Sequence, residues 1–364
     1  MKNQNRKIPK IRFNKFDSVW VENRIADIVK ISAGGDVDKV KLKESGKYPV
    51  IANALTNKGI VGFYDDYKVK APAVTVTGRG DVGYAVARHE NFTPVVRLLT
   101  LQSENIDVDY LENQINSMRI LNESTGVPQL TAPQLGNYKV YHPEMEEQSA
   151  IGSLFRTLDD LLASYKDNLI NYQSLKATML SKMFPKAGQT VPETRLYGFE
   201  GEWKRKNLSE VCNINSGRDY KHLKDGDIPV YGTGGYMLSV NDKLSDEDAI
   251  GIGRKGTIDK PYLLSAPFWT VDTLFYVICK VGYDLNYLFL IFQKIRWKKF
   301  DESTGVPSLS KKTIEKVVSK FPSYEEQCAI GLYFSNLDNL INSYQEKISQ
   351  LETFKKKLLQ DMFI

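Results

Sequence analysis

The chain has 364 residues, 42% of them apolar, a length that suits two domains better than one. Net charge is only +5, and no apolar run reaches the roughly 18 residues of a membrane span. The three cysteines (Cys212, Cys279, Cys328) and three histidines (His89, His142, His222) share no ligand spacing, which excludes a disulfide framework and a zinc site and points to a reducing cytoplasm.

The first 16 residues carry six Lys or Arg and no acid, without the apolar segment of a signal peptide. This basic arm opens a region, 1–142, in which short runs rich in Val, Ile, Tyr and Thr, such as 73–77, are broken by Gly, Pro and Asn-Lys-Gly turns. That pattern predicts a strand-rich mixed domain. Residues 143–184 change character: Ile151, Leu154, Leu158, Leu161, Tyr165, Tyr172, Leu175 and Met179 recur every three or four positions, with a polar slot at Asn168. The spacing predicts a long helix with a coiled-coil seam. Residues 185–200, PKAGQTVPETRLYGFE, read as an extended linker.

A second strand-rich domain, 201–321, includes the run 274–279, and a second helix, 322–364, follows. Its stripe is Ile330, Tyr333, Leu337, Leu340, Tyr344, Leu351, Phe354 and Leu358, with Lys347 in the polar slot. Ser323 with Glu326 three residues on reads as a capping box, whereas the first helix has the weaker Glu144 at that place. The fold class expected is α+β: two strand-rich mixed domains in tandem repeat, separated by two long helices pairing as an antiparallel coiled coil. A helix of about 39 residues is roughly 58 Å long, so such a pair would act as a spacer between the domains, related by an approximate two-fold axis.

The tandem repeat is explicit. Glu123-Ser124-Thr125-Gly126-Val127-Pro128 returns 179 residues later as Glu302-Ser303-Thr304-Gly305-Val306-Pro307, and the same offset runs without a gap to Met183-Phe184 and Met362-Phe363. Identities number 24 in these 62 positions, including Glu146-Glu147-Gln148 with Ala150-Ile151-Gly152 and their counterparts Glu325-Glu326-Gln327 with Ala329-Ile330-Gly331. Near each start the offset is 183, taking Pro9, Arg12, Phe16 and Trp20 onto Pro192, Arg195, Phe199 and Trp203. Between those anchors the halves diverge.

Charge separates the parts. Residues 145–184 and 324–364 together carry −3, leaving +8 on the rest of the chain, as expected of surfaces that face a polyanion. Two glycine turns, Gly78-Arg79-Gly80-Asp81-Val82-Gly83 and Gly251-Ile252-Gly253-Arg254-Lys255-Gly256, match a dinucleotide fingerprint in letters only. That fingerprint needs a helix after the turn, and here β-branched residues and prolines follow. The turns instead offer Arg79, Arg254 and Lys255 at hairpin tips, where such side chains hold phosphates or read guanine. Arg218 and Lys221 in NSGRDYKHL, and Lys39 and Lys41 in the aligned segment GGDVDKVKL, are further candidates for DNA contact. No phosphate loop, methylase tetrad, metalloprotease helix, nucleophile elbow or nuclease cluster is present, so no catalytic residue is expected.

The residues resemble the specificity subunit of type I restriction–modification systems over almost the whole chain. The marks are ESTGVP ahead of each helix, EEQ-x-AIG opening each helix, and PETRLYGFEGEWK leading into the second domain. In that domain Ile228-Pro229-Val230-Tyr231-Gly232, Arg254-Lys255-Gly256-Thr257-Ile258 and Pro267-Phe268-Trp269 add to them. The resemblance implies two target-recognition domains, each reading half of a bipartite, asymmetric double-stranded DNA site, and helices that fix the gap and dock two modification subunits. Those partners would bind S-adenosylmethionine and methylate adenine, and restriction subunits would use ATP and Mg to translocate and cut. No cofactor is expected in this chain. A coiled-coil scaffold with two protein-binding heads is the alternative from another class, and a nucleotide-dependent enzyme a third.

Overall fold

The computed structural model describes residues 8–120 and 126–364. Residues 1–7 of the basic arm and Glu123-Ser124-Thr125 of the first ESTGVP lie outside the described residues. The chain forms two compact units, one of residues 1–167 with 345–364 and one of 168–344.

The first unit contains β1 (Val21–Arg24), α1 (Ile25–Ile28), β2 (Lys30–Ala33), β3 (Tyr48–Ile51), β4 (Ile60–Tyr64), β5 (Ala73–Val76), β6 (Ala85–Arg88), β7 (Thr93–Pro94), β8 (Leu99–Gln102), α2 (Val108–Ser117), α3 (Ala132–Gly136), β9 (Lys139–His142) and the start of α4 (Met145–Lys182). The second contains β10 (Lys204–Asn207), α5 (Leu208–Val211), β11 (Cys212–Ser216), β12 (Asp225–Gly232), β13 (Gly235–Val240), β14 (Ala249–Gly253), β15 (Tyr262–Leu264), β16 (Trp269–Thr270), β17 (Leu274–Cys279), α6 (Leu285–Lys294), α7 (Lys311–Glu315), β18 (Val318–Phe321) and the start of α8 (Tyr324–Asp361).

Each unit builds the same three sheets. Strand order is β2-β8-β5-β6 in the first and β11-β17-β14-β15 in the second, with β4-β3-β7 matching β13-β12-β16 and the pair β1-β9 matching β10-β18. The central strands are covered on both faces, as the uninterrupted burial of Ala73–Val76 and Ala249–Gly253 requires. In the first unit Val74, Val76, Leu99 and Leu101 close a core with Leu111 and Ile115 of α2.

The EEQ-x-AIG motif is explained by packing. Gln148 is buried, accepting from the Asp107 backbone N–H at 3.0 Å and donating to the Pro143 carbonyl at 2.9 Å. Gln327 does the same with Asp284 and Pro322. Glu147 is also buried, in a two-bond ion pair with Arg12 at 2.7 Å, and Glu326 repeats it with Arg195 at 2.6–2.7 Å. A Cβ on Gly152 would lie 2.5 Å from Asp107 Oδ1, and one on Gly331 2.4 Å from Asp284 Oδ1. Those two carboxylates cap α2 and α6, accepting from Tyr110 and Tyr287. The motif therefore welds the first turn of each long helix to a domain helix.

Glu326 corrects the capping-box expectation: Ser323 Oγ accepts from the Glu326 N–H at 3.3 Å, but the Glu326 carboxylate is committed to Arg195 instead of reaching back to the cap.

In the first unit the start of α4 and the end of α8 run antiparallel, with Asp159 paired to Lys355 and Lys166 to Glu352. In the second, Lys176 pairs with Asp338 at 2.5 Å and Tyr172 packs on Tyr344. The seam follows a heptad, but its phase differs from the expected one. Buried or half-buried positions are Ile151, Phe155, Leu158, Leu162, Tyr165, Leu169, Tyr172, Lys176 and Met179, and in α8 Ile330, Phe334, Leu337, Ile341, Tyr344, Ile348, Leu351, Lys355 and Leu358. Leu161, Leu175, Leu340 and Phe354, expected in the seam, are 41, 37, 37 and 49% exposed. The cause is a choice between neighbours: Leu161-Leu162 and Leu340-Ile341 offer two apolar residues, and helical phase turns the second inward. Of the expected polar slots Lys347 is exposed and Asn168 half-buried, and Lys176 and Lys355 are half-buried polar residues at seam positions. Accordingly, Leu162→Ala is expected to cost about 2–4 kcal/mol and Leu161→Ala under about 0.5, measured by denaturant unfolding.

One seam neighbour breaks the repeat. Burial, and then the nearby Asp159, push the Glu112 carboxyl up to about 7. Phe289 holds that place in α6. A raised carboxyl favours the folded state below its ordinary range near 4.5, and that contribution is lost as pH rises to about 7. Glu112→Gln is therefore expected to raise the Tm at pH 8 and to leave it unchanged at pH 4, read by thermal scans at both values.

Candidate nucleic-acid interface

The glycine turns join antiparallel strands, β5 to β6 and β14 to β15. A strand follows each turn, so no helix amino terminus is offered to a pyrophosphate. The tips are not free. Gly80, at φ +77°, donates its N–H to the Pro128 carbonyl at 3.1 Å, and Gly256, at φ +92°, donates to Pro307 at 2.8 Å. Leu130 N–H bonds the Gly78 carbonyl, and Leu309 N–H bonds Arg254. The Gly-Val-Pro segments thus serve as backbone partners for the turns, a role that their letters do not disclose.

This bonding fixes how the halves align at the turns. Bridges Arg79–Gln129 and Lys255–Ser308 make Lys255 the counterpart of Arg79, and Arg254 the counterpart of Gly78. The swap has a steric cause. Arg97, whose offset of 176 matches it to Thr273, has φ +69°, and a Cβ at position 78 would lie 2.2 Å from the Arg97 carbonyl oxygen. Only glycine fits there. The cation lost from the turn is present on the facing loop as Arg97, whose Nη1 donates to Gln129 Oε1 at 2.7 Å. Sequence reasoning missed Arg97, because its relation to the turn lies in the fold.

In the second unit, Arg254 N–H bonds the Thr273 carbonyl on the loop between β16 and β17, and Arg218 N–H bonds the Thr270 carbonyl at the end of β16. The Arg254 guanidinium lies 5.9 Å from the centre of the Phe275 ring. Lys221 is exposed further along the chain, beside Asp219. In the first unit Gly35 N–H bonds Pro94 as Arg218 bonds Thr270, so Gly35 and not Lys39 stands at the Arg218 position. Lys39 and Lys41 are exposed in a turn ordered by Asp38, and no bond brings them to Arg79. Among the described residues, Arg79, Arg97, Arg218, Arg254 and Lys255 have no carboxylate within ion-pair distance.

These unpaired cations gather on strand-rich domains that lack catalytic groupings, and comparison with known proteins gives the arrangement its family. Residues 17–172 and 200–353 both match the type I restriction modification DNA specificity domain. The chain belongs to that family. Specificity domains therefore account for most of the sequence, one copy in each half of the repeat. A putative type I specificity subunit of Mycoplasma pneumoniae is 22% identical over 93% of this chain and 96% of its own length. A type I restriction enzyme specificity subunit of Methanocaldococcus jannaschii is 22% identical over 65% of this chain and 64% of its own. The crystal structure of the S subunit of a type I restriction–modification system from M. genitalium superposes with a TM-score of 0.75 at 19% identity, covering 98% of this chain and 99% of that one, which shows a shared fold. As a specificity subunit the chain binds DNA and is not itself the catalyst. Among the described residues no helix is long and apolar enough to cross a membrane, and no cluster of His, Cys, Asp and Glu could hold a metal ion.

Proposed function

We propose that this specificity subunit reads a bipartite, asymmetric site in double-stranded DNA, one half with each recognition domain, for a type I restriction–modification complex. The observation that carries the reading is the pairing of a repeated scaffold with unlike cations: Arg79 and Arg97 in one domain, Arg218, Arg254 and Lys255 in the other. A scaffold kept in duplicate, with cations free of carboxylate partners on each copy, suits one DNA-contacting surface per half-site.

Methylation belongs, in this reading, to two modification subunits that bring S-adenosylmethionine, and cleavage to restriction subunits that use ATP and Mg. The docking surface proposed for the modification subunits is the exposed edge of the long helices: Leu161 with Phe354 in the first unit, Leu175 with Leu340 in the second. The ion pairs Lys355–Asp159 and Lys166–Glu352 bracket the first pair of residues.

The test is footprinting on a duplex site selected from a random pool, with the salt dependence of binding measured alongside. Arg79→Ala with Arg97→Ala is expected to weaken protection of one half-site, and Arg254→Ala with Lys255→Ala the other. Equal loss at both halves rejects two separate readers, and binding indifferent to salt rejects phosphate contact altogether.

A further inference from the structure

Below the second glycine turn lies a cavity of about 450 Å³ lined by Ser216, Arg254, Lys255, Phe275, Ser308 and Lys311, among others. From its chemistry we infer that this cleft grips one phosphodiester of the DNA backbone beside the second half-site, with Arg254, Lys255 and Lys311 as positioning cations that read no base. The inference rests on the DNA reading above and assigns these residues a task within it.

Three features favour a phosphate over a base edge. The turn is fixed on both sides, through Arg254 N–H to Thr273 at 2.8 Å and Gly256 N–H to Pro307 at 2.8 Å, so it cannot follow the floor of a groove. Arg254 is exposed, yet its guanidinium is tied to the mouth of the cleft, 5.9 Å from the centre of the Phe275 ring and donating to the Asp272 carbonyl at 3.5 Å. The remaining lining is chemistry for an anion: Ser216 and Ser308 supply hydroxyls with no hydrogen-bond partner among the described residues, and Lys255 and Lys311 supply charge.

The acids nearby are engaged by hydroxyl and backbone groups, two of them on the cleft lining, and not by its cations. Glu302 accepts from Ser310 Oγ at 3.0 Å and from Thr313 Oγ1, while Asp301 holds the backbone of Ser303 and Ser308. Among the described residues only Glu315 touches a cleft cation, reaching Lys311 at 3.8 Å from one turn along α7. The first unit has Ala132 where the second has Lys311, and Gly78 where it has Arg254. Its grip is accordingly weaker and rests on Arg79 and Arg97.

The experiment uses the full chain and a random-sequence duplex pool. Wild type and Arg254→Gln, Lys255→Gln and Lys311→Gln variants are each taken through selection, and affinity for the selected site is followed against salt. The expected result is an unchanged consensus, an affinity lower by about 10- to 100-fold for the triple variant, and a log–log salt slope smaller by about one. Lys311→Arg is expected to keep wild-type affinity. An altered base preference in the second half-site, or affinity and slope equal to wild type, overturns the phosphate grip while leaving the DNA reading intact. A wild-type chain that binds no duplex overturns both.

Discussion

Arg195→Ala is expected to destabilise the second unit by about 3–5 kcal/mol, the usual cost of leaving one partner of a buried ion pair alone. Glu326 is 1% exposed and depends on Arg195 for two of its bonds, at 2.7 and 2.6 Å. Without the guanidinium the carboxylate must be buried unpaired or force water into the joint between α8, the 185–203 segment and α6. For a unit of this size each kcal/mol moves the Tm by about 2–4 °C, so a fall of about 6–20 °C is expected in a thermal scan. Glu326→Gln added to Arg195→Ala should recover part of it, because the buried charge is gone. A fall under about 2 °C for the single variant would show that the pair is not structural. Arg12 and Glu147 are bonded in the same way in the first unit, so Arg12→Ala should act similarly there.

The second large effect is expected at the helix edge. Leu161→Glu with Phe354→Glu should leave folding within about 0.5 kcal/mol of wild type, since both side chains are exposed. It should weaken capture of one modification subunit by about 30-fold or more, the effect of removing an apolar hot spot. Stoichiometry measured by light scattering is expected to fall from two modification subunits to one, because Leu175 and Leu340 remain. Retention of both subunits at wild-type affinity would place the docking surface elsewhere.

Much of this architecture was legible in the sequence. The gap-free offset of 179 residues carried the duplicated helices, and the change from turn-broken runs to a heptad carried the division of each half into domain and helix. The phase of the seam was not legible, because Leu161-Leu162 and Leu340-Ile341 satisfy either choice and only the partner helix decides. Nor was the meaning of EEQ: Glu326 read as the far member of a capping box and Glu147 as an acid at the positive end of a helix, while their partners Arg195 and Arg12 lie 131 and 135 residues away. At the candidate interface, the letters offered Arg79, Arg254 and Lys255 on the two turns without telling which of the latter two answers to Arg79. Main-chain hydrogen bonds pair it with Lys255 and add Arg97, a residue with no motif around it, whose left-handed backbone dictates the glycine across from it.

The central claim is that this chain chooses the DNA sequence on which a type I system acts. The most direct measurement is a single-molecule methylome of the host with and without the gene. The account predicts that methylated adenine disappears from one split, asymmetric motif on deletion and returns on complementation. An unchanged methylome, in cells that express both this protein and a modification subunit, would contradict it.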